Sequence, residues 1–242
     1  MRPDSARDLP RSLFLDIETV PQEYAWNTLD PKTAQLFSDK TRFEQERNGK
    51  TAEELWGERG GILAEFGKIV CIGVGSLHRK GEGHELRVTS FHGPNEYDVL
   101  QRFADLLNRH YNSDDHWLCA HNGKEFDFPY MARRMLVLGI AVPHILDLSG
   151  KKPWEVNHLD TMELWKFGDY KNFTSLDLLA AIFNIPTPKD DIDGSQVADV
   201  YYNQNDLPRI VHYCTKDVLT VAQIFRRYRG EPLIEENAVV IV

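Results

Sequence analysis

The stretch Ser12-Leu13-Phe14-Leu15-Asp16-Ile17-Glu18 couples a short apolar run to two carboxylates. A polar lead-in followed by Leu-Phe-Leu suits a buried strand, predicted over Ser12–Asp16. Side chains alternate along a strand, so Asp16 and Glu18, two apart, point to the same side. Acid-x-acid pairs are common in a chain with 37 Asp and Glu among 242 residues, so the spacing alone says little. The position says more. At the end of a buried strand two carboxylates repel and lose hydration unless a cation lies between them. The competing reading is a solvated strand end, with Glu18 starting a turn before Pro21.

Outward from this strand, residues 21–66 change character. They are polar, with scattered Trp26, Leu29, Leu36, Phe37, Phe43, Leu55 and Trp56, and read as helices and loops inserted before the second strand. Strands are then predicted at Lys68–Ser76, Glu85–Phe91, Trp117–Ala120 and His158–Thr161. Helices are predicted from Asn95, over Asp127–Leu138, over Ser175–Phe183 with a cap at Thr174 or Ser175, and over Leu207–Tyr228. Three strands followed by alternating helix and strand describe a mixed α/β fold. The tail ends in Ala-Val-Val-Ile-Val and reads as an added edge strand or a packed terminus.

Composition bounds the function. The apolar share is 42%, enough for a sizeable core in a chain of this length. The apolar runs 69–74 and 135–142 are far too short to cross a bilayer. The polar start 1–11 has no apolar core of a signal peptide, and Cys71, Cys119 and Cys214 form no paired framework, so a reduced, cytoplasmic protein is expected. The net charge is −9. Proteins that coat phosphates are usually basic, so a nucleic-acid enzyme of this charge must grip a few nucleotides locally and offset its own carboxylates with metal ions. No phosphate-binding glycine loop is present: Gly73 and Gly75 have the wrong spacing, which argues against an ATPase or a dinucleotide enzyme.

Two further clusters carry chemistry. Ala120-His121-Asn122-Gly123-Lys124-Glu125-Phe126-Asp127 joins a strand to a helix, where Asp127 either caps the helix or ligates a metal. In the last helix Tyr213 and Asp217 are four apart and share a face, beside a stripe of Ile210, Cys214, Val218, Val221 and Phe225. His212 competes with Tyr213 as the partner of Asp217. At ~100° per residue, a position four back lies about 40° from Asp217 and one five back about 140° away, so a continuous helix selects Tyr213.

Taken in order, LFLDIET (13–19), AHNGKEFDFPYMARR (120–134) and YCTKD (213–217) resemble the DEDD superfamily of 3′→5′ exonucleases. The likeness is greatest to the exonuclease domain of family-B DNA polymerases and to stand-alone bacterial proteins related to it. Asp16 and Glu18 match its first motif, Asn122 and Asp127 its second, Tyr213 and Asp217 the tyrosine form of its third. The resemblance implies a ribonuclease H-like fold over 1–242: a five-stranded mixed sheet, the first three strands antiparallel, the last two parallel to the first, helices on both faces. It implies two Mg2+ or Mn2+ ions, with Asp16 bridging them, Glu18 and Asp217 completing one site, Asp127 holding the other and Tyr213 orienting the attacking water. It implies single-stranded nucleic acid cut from its 3′ end to nucleoside monophosphates, DNA favoured over RNA.

Substrate contacts are expected from Asn122, Lys124, Phe126 and Lys189, with Arg133 and Arg134 as further candidates for the backbone. Phe126, Phe128, Phe167, Tyr170 and Phe173 are candidates to stack on bases, against the plainer reading that they fill the core. Asp160 either supports the metal cage or bonds a loop. Two rivals stand: an RNA or short-oligonucleotide nuclease, and a catalytically silent module binding nucleic acid or protein.

Overall fold

The computed structural model describes residues 11–242 apart from 82, 170, 172 and 187–191. Lys189 and Tyr170 therefore lie outside the described residues.

Strand β1 (Ser12–Pro21) runs past the predicted end and carries both acids within it. It pairs antiparallel with β2 (Gly67–Lys80), which pairs antiparallel with β3 (Gly83–His92). The chain then returns to the other side of β1. There β4 (Trp117–Ala120) and β5 (Leu159–Asp160) add in parallel, giving the order β5-β4-β1-β2-β3-β6. The five-strand expectation is corrected to six among the described residues. The tail strand β6 (Val239–Ile241) pairs parallel with β3, giving Val-Val-Ile a ladder and covering an edge otherwise open.

Between β1 and β2 the inserted segment forms α1 (Pro31–Asn48) and α2 (Ala52–Arg59). Asp30 caps α1 ahead of Pro31, and Thr51 with Glu54 makes a reciprocal capping box on α2. The segment has a core of its own: Phe37, Leu55, Trp56 and Phe66, with Trp26, Leu29 and Leu63 against them. Leu36 and Phe43 point out to solvent.

Helices cover both faces, as β1 dictates by its period of two. Leu13, Leu15 and Ile17 pack under α3 (Glu96–His110) and α4 (Asp127–Val137), while Phe14 faces α8 (Leu207–Tyr228). Short helices α5 (Thr161–Lys166), α6 (Leu176–Ile182) and α7 (Val197–Tyr202) fill the path from β5 to α8. Of these, α6 was expected and is capped by Ser175; α5 and α7 are too short to show a helical period in sequence. No helix of the described residues is long and apolar enough to cross a membrane.

Candidate active site

β4 pairs with β1 only through Phe14, so Asp16 and Glu18 lie just past the end of that ladder, in a crevice bounded by the carboxyl end of β4 and the middle of β1. Asp16 and Glu18 reach this crevice on the α8 side of β1, in phase with Phe14. Glu18 is buried and Asp16 partly so.

Helix α8 supplies the opposite wall. Asp206 caps it, Pro208 sits in its first turn, and it runs unbroken to Tyr228. Ile210, Cys214, Val218, Val221 and Phe225 are all buried against the sheet. Tyr213 and Asp217 stand beside that stripe, one turn apart, and the Tyr213 hydroxyl favours the charged form of the Asp217 carboxylate. His212 is exposed, so helix continuity places tyrosine, not histidine, beside Asp217. The Cys214 thiol donates to the Asp16 carbonyl at 3.4 Å. Ligand atoms of Asp16, Glu18 and Cys214 all lie within 4.8 Å of one another.

Asp127 completes the cluster from α4. Phe126, not Asp127, holds the capping position, and it makes no side-chain cap. Asp127 is the first helical residue, buried, with the backbone amides of Asp127 itself and Ile17 favouring its carboxylate.

The electrostatics of this crevice are unfavourable by construction. Burial comes first and neighbouring acids second in pushing up Asp16, which feels Glu18, Asp217 and Asp127. Glu18 is raised by burial and by Asp217. Asp127 is raised to about 8, chiefly by burial, with Asp160 and Asp217 adding to it. Asp217 is raised to about 7 by burial and by Asp177, while Tyr213 and Lys216 act the other way. Asp177, an exposed residue in the first turn of α6, was not singled out in the sequence; nothing in its spacing marks it, because α6 folds back from a distant part of the chain. Asp16 Oδ2 and Asn122 Oδ1 are buried without a hydrogen-bond partner. An orphaned carboxylate oxygen among acids raised by burial and by one another is a setting that a hard cation would relieve.

The loop after β4 is held by Asp160. Its carboxylate accepts from the backbone N–H groups of Asn122 (2.9 Å), Lys124 (3.1 Å), Met162 (3.0 Å) and Glu163 (3.3 Å). Asp160 thus bonds a loop and caps α5. Asn122 takes a left-handed backbone, φ 61°. His121 bridges Thr161 Oγ1 and the Thr174 carbonyl, each at 2.9 Å.

The other expected contacts divide. Lys124 pairs with Glu163 at 2.6 Å. Phe126 is partly buried, its ring 5.3 Å from Tyr130. Phe128 is fully buried and belongs to the core. Arg134 is withdrawn as a backbone contact, because it is buried in an ion pair with Glu96 (2.6 Å) and donates to the Ala64 carbonyl.

Sheet order, flanking helices and an acid cluster drawn from β1, α4 and α8 define a ribonuclease H-like fold. The match becomes more particular over residues 62–231, which fit the family described as predicted 3′-5′ exonucleases related to the exonuclease domain of PolB. The chain belongs to that family. The matched residues include Asn122, Asp127, Tyr213 and Asp217; Asp16 and Glu18 precede them and join them through the fold. A DNA polymerase of Pyrococcus glycovorans is 22% identical over 146 residues, 55% of this chain and 18% of that protein. The family B DNA polymerase of the hyperthermophilic archaeon Pyrobaculum calidifontis superposes with a TM-score of 0.54 at 17% identity, over 89% of this chain and 24% of that one. The chain spans less than a quarter of either relative, and the superposition speaks to the fold.

Proposed function

We propose that the chain is a metal-dependent exonuclease that removes nucleoside monophosphates from the 3′ end of single-stranded nucleic acid, DNA in preference to RNA. The observation that carries this reading is Asp16, whose buried Oδ2 has no partner while Glu18, Asp127 and Asp217 crowd the same crevice. The donors are carboxylates, which suit Mg2+ or Mn2+. Asp16 would hold two ions, Glu18 and Asp217 one of them, and Asp127 the other. When bound, such ions offset phosphate charge and lower the pKa of the attacking water.

The chain's own residues do the rest. Burial and the charges of Asp217, Glu18 and Asp16 raise the Tyr213 phenol, so it stays protonated at neutral pH. A protonated phenol is a poor general base, so the role that fits its hydroxyl, beside Asp217, is to position the water. Asp160 fixes the turn that carries Asn122, and Asn122 would meet the terminal nucleotide. The preference for DNA rests on kinship with polymerase exonuclease domains.

The test is cleavage of 5′-labelled single-stranded DNA and the matching RNA, with Mg2+, Mn2+ or chelator, beside Asp16→Ala. A metal-dependent ladder shortening from the 3′ end, absent in the variant, is expected, and faster on DNA. A faster RNA ladder reassigns the substrate. No ladder on either strand from folded protein overturns the reading in favour of a binding module.

A further inference from the structure

The insertion between β1 and β2 has a core of its own, yet its return to the sheet is fastened to the helix of the second motif by one buried side chain. Tyr130 is 2% exposed and lies one turn after Asp127 on α4. Its hydroxyl donates to the Gly61 carbonyl at 2.7 Å. Burial raises the phenol, so it is a neutral donor at any working pH. Gly61 lies between α4 and the end of β1: a Cβ there would sit 3.2 Å from the Pro21 nitrogen and from the Val20 carbonyl carbon. A Cβ at Gly67, the first residue of β2, would strike the Tyr130 hydroxyl. Bare backbone at both glycines lets the phenol reach the junction of insertion and sheet. A phenylalanine ring would fill the same core, and a buried hydroxyl costs free energy unless it is bonded. What the hydroxyl adds is therefore position, not packing.

Two successive contacts dock α4 on β1. The Asp127 carboxylate is favoured by the backbone amide of Ile17, the residue between Asp16 and Glu18. Three residues on, the Tyr130 phenol feels the hydroxyl of Thr19, directly after Glu18. Three residues of helix advance ~4.5 Å and two of strand ~6.6 Å, so the two elements run side by side through both contacts. The β1–β2 register shifts between Glu18 and Thr19, so no regular ladder holds the strand at this point. Arg134, four residues after Tyr130, donates to the Ala64 carbonyl at 3.0 Å and continues the seam between α4 and the returning chain.

We propose that the Tyr130 hydroxyl is a positioning group for the acid cluster: by fastening α4 to the return of the insertion at the end of β1, it sets the separation of Asp127 from Asp16 and Glu18, and with it the affinity for one of two cations. This role rests on the exonuclease reading, in which Asp16 and Asp127 share one ion while Asp16, Glu18 and Asp217 hold the other. An ion shared between β1 and α4 is sensitive to their separation. An ion held between β1 and α8 is not, because α8 packs on the opposite face of the sheet. The insertion, through Gly61, thereby takes part in shaping the site without lending it a ligand.

The experiment counts Mn2+ bound to the full chain without substrate, from the electron paramagnetic resonance of the free ion. Tyr130→Phe should bind the tighter ion as the parent does and the weaker one about threefold to tenfold less tightly, the scale of one hydrogen bond. Tyr202→Phe is the comparison. Its hydroxyl holds the same end of β1 from α7, donating to the Pro21 carbonyl at 2.6 Å. That variant should bind both ions as the parent does. In chelator, hydrogen exchange at the Ile17 amide should be faster in Tyr130→Phe by a similar factor, with the α8 amides unchanged. Parent-like binding of both ions by Tyr130→Phe overturns the role. So does an equal loss in Tyr202→Phe, which marks a general loosening of β1. If the parent binds no Mn2+ while Ile17 exchange still responds, the hold of Tyr130 on Asp127 stands and the exonuclease reading falls. If Ile17 exchange does not respond, the hold itself is overturned.

Discussion

Gly73 stands directly opposite Asp16 across the β1–β2 ladder, and a Cβ at Gly73 would lie 2.9 Å from Val218 Cγ2 and 3.0 Å from Cys214 Sγ. The bare backbone lets α8 lie against the sheet at the level of Asp16, which brings Tyr213 and Asp217 into the crevice. Gly73→Ala should therefore push α8 outward. The expected cost is about 1–3 kcal/mol, the usual penalty for overpacking a filled core, read from urea denaturation. The stabilisation by Mn2+ should shrink with it, since Asp217 travels with the helix. A variant with parent stability and parent Mn2+ response would show that this contact does not seat α8.

Removing one acid should move stability and activity in opposite directions. Asp16→Asn relieves both the burial of a carboxyl group and the repulsion from Glu18, Asp217 and Asp127. In chelator at neutral pH its melting temperature should rise by about 2–4 °C, the equivalent of roughly 1 kcal/mol in a chain of this size. Cleavage with Mn2+ should fall by about a hundredfold or more, the scale of losing one group that manages transition-state charge. A cage built only for structure would give the reverse: a less stable variant with its activity intact.

The same cluster fixes the response of the metal-free chain to pH. Burial raises Asp127 to about 8 and Asp217 to about 7, whereas the unfolded carboxyls titrate near ~4. The folded state therefore binds protons more tightly than the unfolded state. Stability from these groups is complete below about pH 4 and is lost as pH rises through about 7 to 8. Melting in chelator should occur at progressively lower temperature from pH 5 to pH 9. Added Mn2+ should flatten that slope, because it binds the ionised cluster. A pH-independent melting temperature in chelator would rule out a buried, uncompensated cluster.

Tyr213 and His212 separate by a simpler test. Tyr213→Phe keeps the ring and removes the hydroxyl that meets Asp217, so kcat should drop by about tenfold to a hundredfold with little change in KM. His212 is exposed, and His212→Ala should leave both constants near the parent values. If the histidine variant loses kcat and the tyrosine variant does not, α8 presents the other face in the working enzyme.

That choice was legible in the sequence because it depends only on the pitch of a helix. The same holds for β4 and α8, whose limits follow from an apolar run and an unbroken period. Asp127 was less legible. An acid beside the start of a helix reads as a cap or as a ligand, and only the folded backbone, with Phe126 in the capping position, sets the cap aside. Arg134 misled for the opposite reason. Next to a motif a cation suggests a phosphate, yet Glu96, far away in the chain, claims it inside the core. Asp177 had no local signal at all, since what brings it to Asp217 is the packing of α6 on α8. Chemistry carried by one element could be read ahead of the fold; chemistry shared between elements could not.

Asp160 is the clearest instance of such sharing, and it yields the last prediction. One carboxylate, itself buried, accepts from four backbone N–H groups on two separate segments, fastening the Asn122 turn to the start of α5. Asp160→Ala would leave those donors facing a cavity without an acceptor. A buried donor left unpaired costs about 1–3 kcal/mol, so the total loss should reach several kcal/mol and be plain in chemical denaturation. Asp160→Asn keeps one acceptor oxygen but turns the other into a donor against an N–H group, so its loss should be intermediate. Because Asp160 lies behind the turn, the variant that still folds should also lose part of its affinity for the strand, with its response to Mn2+ largely kept. An Asn variant that instead loses its Mn2+ response while holding the strand would make Asp160 a member of the acid cage, not the clamp of the loop beside it.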